Sequence, residues 1–360
     1  MLCSSRKEYG NNFIMIPQRN NLSISPTLII LILSISLYLP SLVFQFAFDD
    51  LYQIVNNPTI TWNETSWRSI LNIFYQATPP GDLYRPVTQL TYRLNFLIAN
   101  LNPGTYHLIN IILYGVVCLF VYLLIAKIIE DSKIAFFATI LFIIHPLHVE
   151  VVANVSGRAE LLASWFSILS LFFYAKNIKT KNSSYFLNIC LTFVFFLLAI
   201  FSKESAITVF LLFITLDFLS ADRKALFIDK RKLISYLIFA TAIAIYLWFR
   251  FLTLQDQFTI EWEKVAYHPE NPLQNLGFFD RIFPALKILG DYIGLMLLPI
   301  NLASEYAQPY QAFWSNIYSI SGFVSVLIFL FWIVLSYLLR KDRILFFALW
   351  VLVSFTLTSP

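Results

Sequence analysis

The sequence predicts an all-α, polytopic helical membrane protein, and three observations carry that prediction. Of its 360 residues, 58% are hydrophobic and only 13% are charged, whereas soluble domains carry roughly a quarter charged residues. Apolar runs of about 20 residues, the length that crosses a hydrocarbon core about 30 Å thick, recur from residue 27 onward. Lysine and arginine then segregate between alternate connecting segments, as they do in multi-pass proteins. A soluble enzyme, a disordered chain and a collagen-like repeat are all excluded, the last because the chain has only nine glycines. Cys3, Cys118 and Cys190 form neither a disulfide framework nor a metal spacing.

Residues 1–26 read as a polar N-terminal tail, and residues 27–360 as one multi-pass membrane domain. The first apolar run, 27–46, is too long for a cleaved leader and lacks a small-residue cleavage site, so it reads as the first crossing. A long loop, 47–104, follows. Further crossings are expected at 105–126, 134–145, 159–175, 185–201, 206–219, 233–254, 317–339 and 344–358. The run before His145-Pro146 and the run 206–219 are short, and broken helices persist in a membrane only beside other helices or a watery cavity. Residues 281–300 contain Arg281, Lys287 and Asp291 and read as a re-entrant or interfacial helix. With that reading, 16 of the 25 basic residues fall on the side of the N-terminus, which is therefore expected to be cytoplasmic. Fourteen of the 21 acids fall on the other side.

Four polar clusters abut helix ends on that outer side, where water is scarce. Asp49 and Asp50 are adjacent carboxylates just beyond the first crossing. Such a pair suits a base that takes a proton from a nucleophile, with the second acid orienting it, although acids there also serve as a simple flank. Arg85, before Pro86, and Arg93 belong to a segment whose length and mixed polarity suit an interfacial helix, with Thr88, Tyr92 and Asn95 near one face. Their guanidinium groups suit a phosphate, a lipid headgroup or an acidic side chain. His145, His148 and Glu150 stand close together, followed by Arg158 and Glu160. Pro146 interrupts the helix between the two histidines, so the imidazoles are expected to satisfy broken-helix backbone groups rather than a metal, and Arg158 to pair with Glu150, Glu160 or an anion. Lys203 and Glu204 occupy a tight turn, because 185–219 as one helix would run about 52 Å, too long for one crossing. Lys203 there is either a snorkelling anchor or, with Arg85 and Arg158, part of an anion site.

These clusters, in this order, resemble the membrane portion of the transmembrane-and-TPR protein O-mannosyltransferases, members of the GT-C class of lipid-linked glycosyltransferases. The strings that carry the resemblance are FDDLYQIVNNP (48–58), YRPVTQLTYRLNF (84–96), LNPGTYHLIN (101–110), HPLHVEVVANVSGRAELL (145–162) and SKESAITV (202–209). A looser match runs through NPLQNL (271–276) and the stretch 284–306. His107 lies in the third string and joins the cavity candidates.

The resemblance implies a GT-C-like bundle with long outer loops. It also implies transfer of a sugar, mannose in the family, from a polyprenyl or dolichyl phosphate to an acceptor hydroxyl, protein Ser or Thr in the family. By that likeness Asp49 is the base, Asp50 its partner and Lys203 the contact to the lipid phosphate, while Arg85 and Arg158 fit the motifs with less defined roles. The implied partners are the lipid-linked donor, a protein or glycan acceptor and the bilayer, with no nucleic acid. No cofactor is expected, since GT-C members differ in metal use and nothing in the chain demands a metal. The TPR array of the family is expected to be absent. The alternatives are a transporter or channel, for which no inverted repeat is visible, and a non-catalytic scaffold. Sequons at Asn63 and Asn154 leave the endoplasmic reticulum and the bacterial inner membrane equally open as the compartment.

Overall fold

A computed structural model describes residues 25–62, 66–79, 83–178, 184–220 and 230–258, with isolated positions between 290 and 338. Among these residues eleven α-helices follow one another: α1 (Pro26–Tyr38), α2 (Pro58–Thr61), α3 (Trp67–Asn72), α4 (Pro86–Ala99), α5 (Pro103–Ile129), α6 (Ser132–Ile143), α7 (His148–Ala153), α8 (Arg158–Ile178), α9 (Ser184–Ser202), α10 (Val209–Ser220) and α11 (Lys230–Phe258). The described residues contain no strand beyond one isolated bridge between Thr78 and Leu83. Most of 281–300 and of the expected crossing at 317–339, all of the one at 344–358, and the Asn63 sequon lie outside the described residues.

Local chemistry sets most helix boundaries. Proline opens α1, α2, α4 and α5, where its missing N–H costs nothing. Asn57, Asn102 and Asp131 cap α2, α5 and α6 with side-chain oxygens that accept backbone N–H groups. The first crossing does not run as one α-helix to residue 46. It tightens into a 3₁₀ turn at Leu39–Val43, where Pro40 cannot donate to the α ladder. Helix α6 ends at Ile143, ahead of Pro146.

Among the described residues, four segments are long and apolar enough to cross a membrane: Pro26–Val43, Pro103–Ile129, Tyr185–Ser202 and Arg231–Leu254. The protein is therefore a multi-pass, all-α membrane protein. Helices α6 and α10 have twelve residues each. They cover about 18 Å, so the runs expected to cross at 134–145 and 206–219 are shorter than a full crossing in helical form. Helix α8 carries Arg158 and Glu160 in its first turn and packs against both α5 and α9, but it is not among these four segments.

Two large apolar clusters and one small one hold the bundle. Phe196, Phe213, Phe239 and Tyr174 centre the cluster between α8, α9, α10 and α11. Rings of Phe213 and Phe239 lie 4.5 Å apart, and Phe196 meets Phe213 edge-on at 5.6 Å. Ile30, Tyr38, Ile111, Tyr114 and Ile143 join α1, α5 and α6. Gly115 lets α1 approach α5 closely, since a Cβ there would stand 3.2 Å from Ile35 Cγ1. Ile54, Ile60, Tyr92, Tyr106 and Val155 form the small cluster, under the first loop.

The connection from α7 to α8 is tightly closed at Gly157. A Cβ on Gly157 would lie 2.1 Å from the Val151 carbonyl oxygen. The Gly157→Ala variant is therefore expected to be destabilised by about 1–3 kcal/mol, the usual range for overpacking. Thermal unfolding in detergent, monitored by size-exclusion fluorescence, should show a lower midpoint than wild type.

Candidate active site

The four polar clusters, far apart in sequence, meet at one end of the bundle. The first acid pair is set by a backbone kink. Phe48 has φ +48°, a left-handed conformation rare for a bulky residue, and the chain turns there into a π-type turn at Leu51–Val55. Asp49 stays exposed, while Asp50 is only 1% exposed. Asp50 Oδ1 accepts the Ser156 N–H at 2.7 Å and Oδ2 accepts the Ala47 N–H at 3.2 Å. This carboxylate thus ties the first loop to the turn between α7 and α8. Burial pushes its pKa up from the ordinary carboxylate range, and the backbone N–H donors only partly offset that.

A cavity of about 730 Å³ opens beside this pair. Its wall carries three carboxylates, those of Asp49, Asp50 and Glu150, together with Phe44, Phe48 and Pro146. None of its described lining residues is a lysine or arginine. A second cavity of about 700 Å³ runs between α5, α6, α8 and α10, walled chiefly by aliphatic side chains such as Val121, Leu124 and Leu141. Leu147 lines both cavities.

The basic residues are held by internal partners. Arg85, the residue before α4, forks onto Glu204 with Nε to Oε2 at 3.0 Å and an Nη to Oε1 at 2.6 Å. Burial works against the charge of Glu204, but Arg85 prevails and holds its carboxyl below the usual range. Lys203, the preceding residue, pairs with Glu160 on α8. Thr88 on α4 donates to the carbonyl oxygen of Ser202 at 2.9 Å, fastening the same turn.

Arg158 departs from the sequence expectation. It was expected to pair with Glu150, Glu160 or an anion, but its side chain is fully buried and lines neither cavity. Its guanidinium donates to Asn110 Oδ1 at 2.9 Å, Asn95 Oδ1 at 3.0 Å, the Tyr106 carbonyl at 3.0 Å and the Thr91 carbonyl at 3.4 Å. It also stands 4.7 Å from the Tyr92 ring centroid and 5.4 Å from that of Tyr106. Arg93 is likewise internal, 1% exposed, donating to the carbonyls of Ile60 and Trp62. His107 is buried, edge-on to Phe44.

The histidines act on backbone and tyrosine. His145 Nδ1 accepts the Leu147 N–H at 3.4 Å, and Nε2 lies 2.9 Å from the Met296 carbonyl, so that nitrogen carries the proton. His148 Nδ1 is 3.2 Å from Tyr114 Oη. Burial first, then the neighbouring His145, lowers the His148 pKa to about 4, which keeps it neutral. Among the described residues, no group of three or more His, Cys, Asp or Glu is placed to hold a metal ion.

Sequence reasoning missed Asn110, Ser156 and Tyr114 as parts of this region. Asn110 donates to the carbonyls of Asn154 and Val155 at 3.0 and 3.2 Å, holding the α7–α8 turn that presents Ser156 to Asp50. The available signal was an asparagine inside the apolar run of α5, since polar residues in a crossing are costly and rarely idle.

The fold and this site define a polytopic membrane protein with an acid-lined cavity beside an apolar one. The resemblance read from the motifs holds against curated relatives. The chain is 36% identical to human protein O-mannosyl-transferase TMTC3 over 177 residues, which is 48% of this chain and 19% of the relative. It is 35% identical to protein O-mannosyl-transferase F38B6.6 of Caenorhabditis elegans over 200 residues, 54% of this chain and 28% of the relative. With human protein O-mannosyl-transferase TMTC2 it shares 33% identity over 156 residues, 42% of this chain and 19% of the relative. The matched stretches thus span less than a third of each of these relatives. No family model matches the chain, and no solved structure matches it.

Asp50 generates a stability prediction. Its folded pKa is raised, so its contribution is fully present below the unfolded value of about 3.9 and is lost as pH rises through the folded value. Glu204, with a lowered folded pKa, acts in the opposite direction: its contribution is present above the unfolded value of about 4.3 and is lost as pH falls through the folded one. In Asp50→Asn the Asp50 contribution disappears. The difference in unfolding midpoint between wild type and Asp50→Asn should therefore change across a thermal-unfolding series from pH 4 to pH 7. It should move against the wild type as pH rises.

Proposed function

We propose that the chain is a GT-C class glycosyltransferase that moves mannose from a polyprenyl or dolichyl phosphate to a Ser or Thr hydroxyl of a protein, inverting the anomeric centre. The observation that carries this reading is the junction at Leu147, where an acid-lined cavity adjoins an apolar one of similar size. A lipid-linked sugar has the same division, a polar head on a long hydrocarbon tail. The names of the relatives, all protein O-mannosyl-transferases, support the choice of sugar and acceptor.

In this mechanism Asp49, exposed in the acid cavity, takes the proton of the acceptor hydroxyl. The oxygen attacks the anomeric carbon, the carbon–oxygen bond to phosphate breaks, and the polyprenyl phosphate leaves with both bonding electrons. Asp50, locked by two backbone N–H groups, holds the loop that presents Asp49. Lys203 and Arg85 are the cations nearest in role to the leaving phosphate, reached by exchange of their partners Glu160 and Glu204 for phosphate oxygens. The distribution of lysine and arginine supports an N-terminus in the cytoplasm and a site on the opposite side, in the endoplasmic reticulum or the bacterial inner membrane. No cofactor is assigned a part in the step.

The test is transfer from radiolabelled polyprenyl-phosphate mannose to a Ser/Thr-containing protein acceptor by the purified protein. Asp49→Asn should lower the turnover by about 10²–10⁴-fold, the span of general base catalysis. Lys203→Met should raise the donor KM. Unchanged transfer by both Asp49→Asn and Asp50→Asn would sink the assignment of the acid pair, and no transfer from any lipid-linked donor would turn the reading towards transport or scaffolding.

A further inference from the structure

Phe44, Phe46 and Phe48 alternate where the chain leaves the first crossing. Phe46 packs into the small cluster, edge-on to Tyr106 at 5.3 Å, and Phe44 stands edge-on to His107 at 6.1 Å. Phe48 does neither. Among the described residues its ring joins no apolar cluster and meets no other ring, and the residue is 71% exposed. Its backbone also sits at φ +48°, a conformation that glycine adopts without a Cβ clash. If the kink alone mattered, glycine would hold it without exposing a ring. A bulky side chain kept in a sparsely populated conformation, with no internal partner, calls for an external one.

The wall around the ring narrows what that partner is. Phe48 lines the cavity of about 730 Å³ together with Phe44, the carboxylates of Asp49 and Glu150, and the amide-bearing Gln45 and Asn154. A hydrocarbon chain placed there would strip water from the carboxylates without replacing it. A phosphate would be repelled by them. A pyranose is uncharged and offers hydroxyl donors to carboxylate and amide oxygens. It also has a face of C–H groups that lies flat on an aromatic ring.

We infer that the exposed ring of Phe48 is the platform on which the sugar of the lipid-linked donor stacks, its hydroxyls facing the carboxylate of Glu150. The inference rests on the reaction proposed above and names the residue that seats the sugar. Phe48 directly precedes Asp49, so a sugar stacked on it holds its anomeric carbon close to the hydroxyl that Asp49 deprotonates. The ring acts by orientation, and no bond forms on it.

The test compares two ligands in equilibrium binding to the purified protein: radiolabelled polyprenyl-phosphate mannose, and the same polyprenyl phosphate without the sugar. Phe48→Leu should weaken binding of the sugar-bearing lipid by about three- to tenfold, the order of one aromatic contact, and leave binding of the bare lipid as in wild type. Phe48→Trp, which restores a flat aromatic face, should bind the sugar-bearing lipid more tightly than Phe48→Leu does. Equal weakening of both lipids by Phe48→Leu means that the ring meets the lipid or only shapes the loop, and overturns the inference while the donor stands. Unchanged binding of both overturns it as well. If transfer by that variant then falls only through a higher KM for acceptors with lysine or arginine beside the hydroxyl, the ring serves a cation of the acceptor instead. Failure of the wild type to bind either lipid overturns this inference and the proposed reaction together. Should Phe48→Leu not fold, Phe48→Gly, which removes the ring and suits the left-handed backbone, gives the same comparison.

Discussion

The end of the bundle that holds the candidate site is organised around one buried cation. Taking a guanidinium out of water costs several kcal/mol even after relaxation, and the described surroundings of Arg158 answer with amide oxygens, carbonyls and two tyrosine faces instead of a carboxylate at contact distance. The acceptors come from two helices, Asn95 and Thr91 from α4 and Asn110 and Tyr106 from α5, while Arg158 itself opens α8. Satisfying that one charge therefore fixes three helices in mutual register. The first loop and the α7–α8 turn are then brought together by Asp50 and Ser156.

Two ion pairs each join residues far apart in the sequence across an element boundary. Lys203 and Glu204 are neighbours in sequence but reach in different directions, one to Glu160 on α8 and the other to Arg85 before α4. Both pairs are partly exposed, so they are weaker than wholly buried ones and exchange partners more readily. Arg158, by contrast, has no solvent contact at all. A fully buried cation and cations in partly exposed ion pairs thus coexist within one region.

Much of the site was legible one motif at a time. The adjacent acids, the arginine before Pro86, the histidine pair around Pro146 and the Lys203-Glu204 turn all stand out because charge is scarce in so apolar a chain. What each residue does was less legible. Arg85 and Arg158 look alike in sequence, each beside a helix start, yet one reaches a carboxylate and the other is enclosed by Tyr92, Tyr106, Asn95 and Asn110. Asp49 and Asp50 are likewise indistinguishable until the chain reverses at Phe48 and leaves one exposed and the other hidden. Asn110 was missed because a lone amide in an apolar run has no partner that spacing can reveal.

From the sequence alone come the helical class, the membrane setting and the helix starts, because hydrophobic length, proline at N1 and short polar caps act within a few residues of one another. The tertiary structure alone decides which charges neutralise which and where the acids open into a cavity. Those outcomes depend on contacts between residues as far apart as Asp50 and Ser156 or Arg85 and Glu204. In a low-dielectric interior the energy of a charge is set by the few groups that touch it, and no local pattern specifies which groups those are.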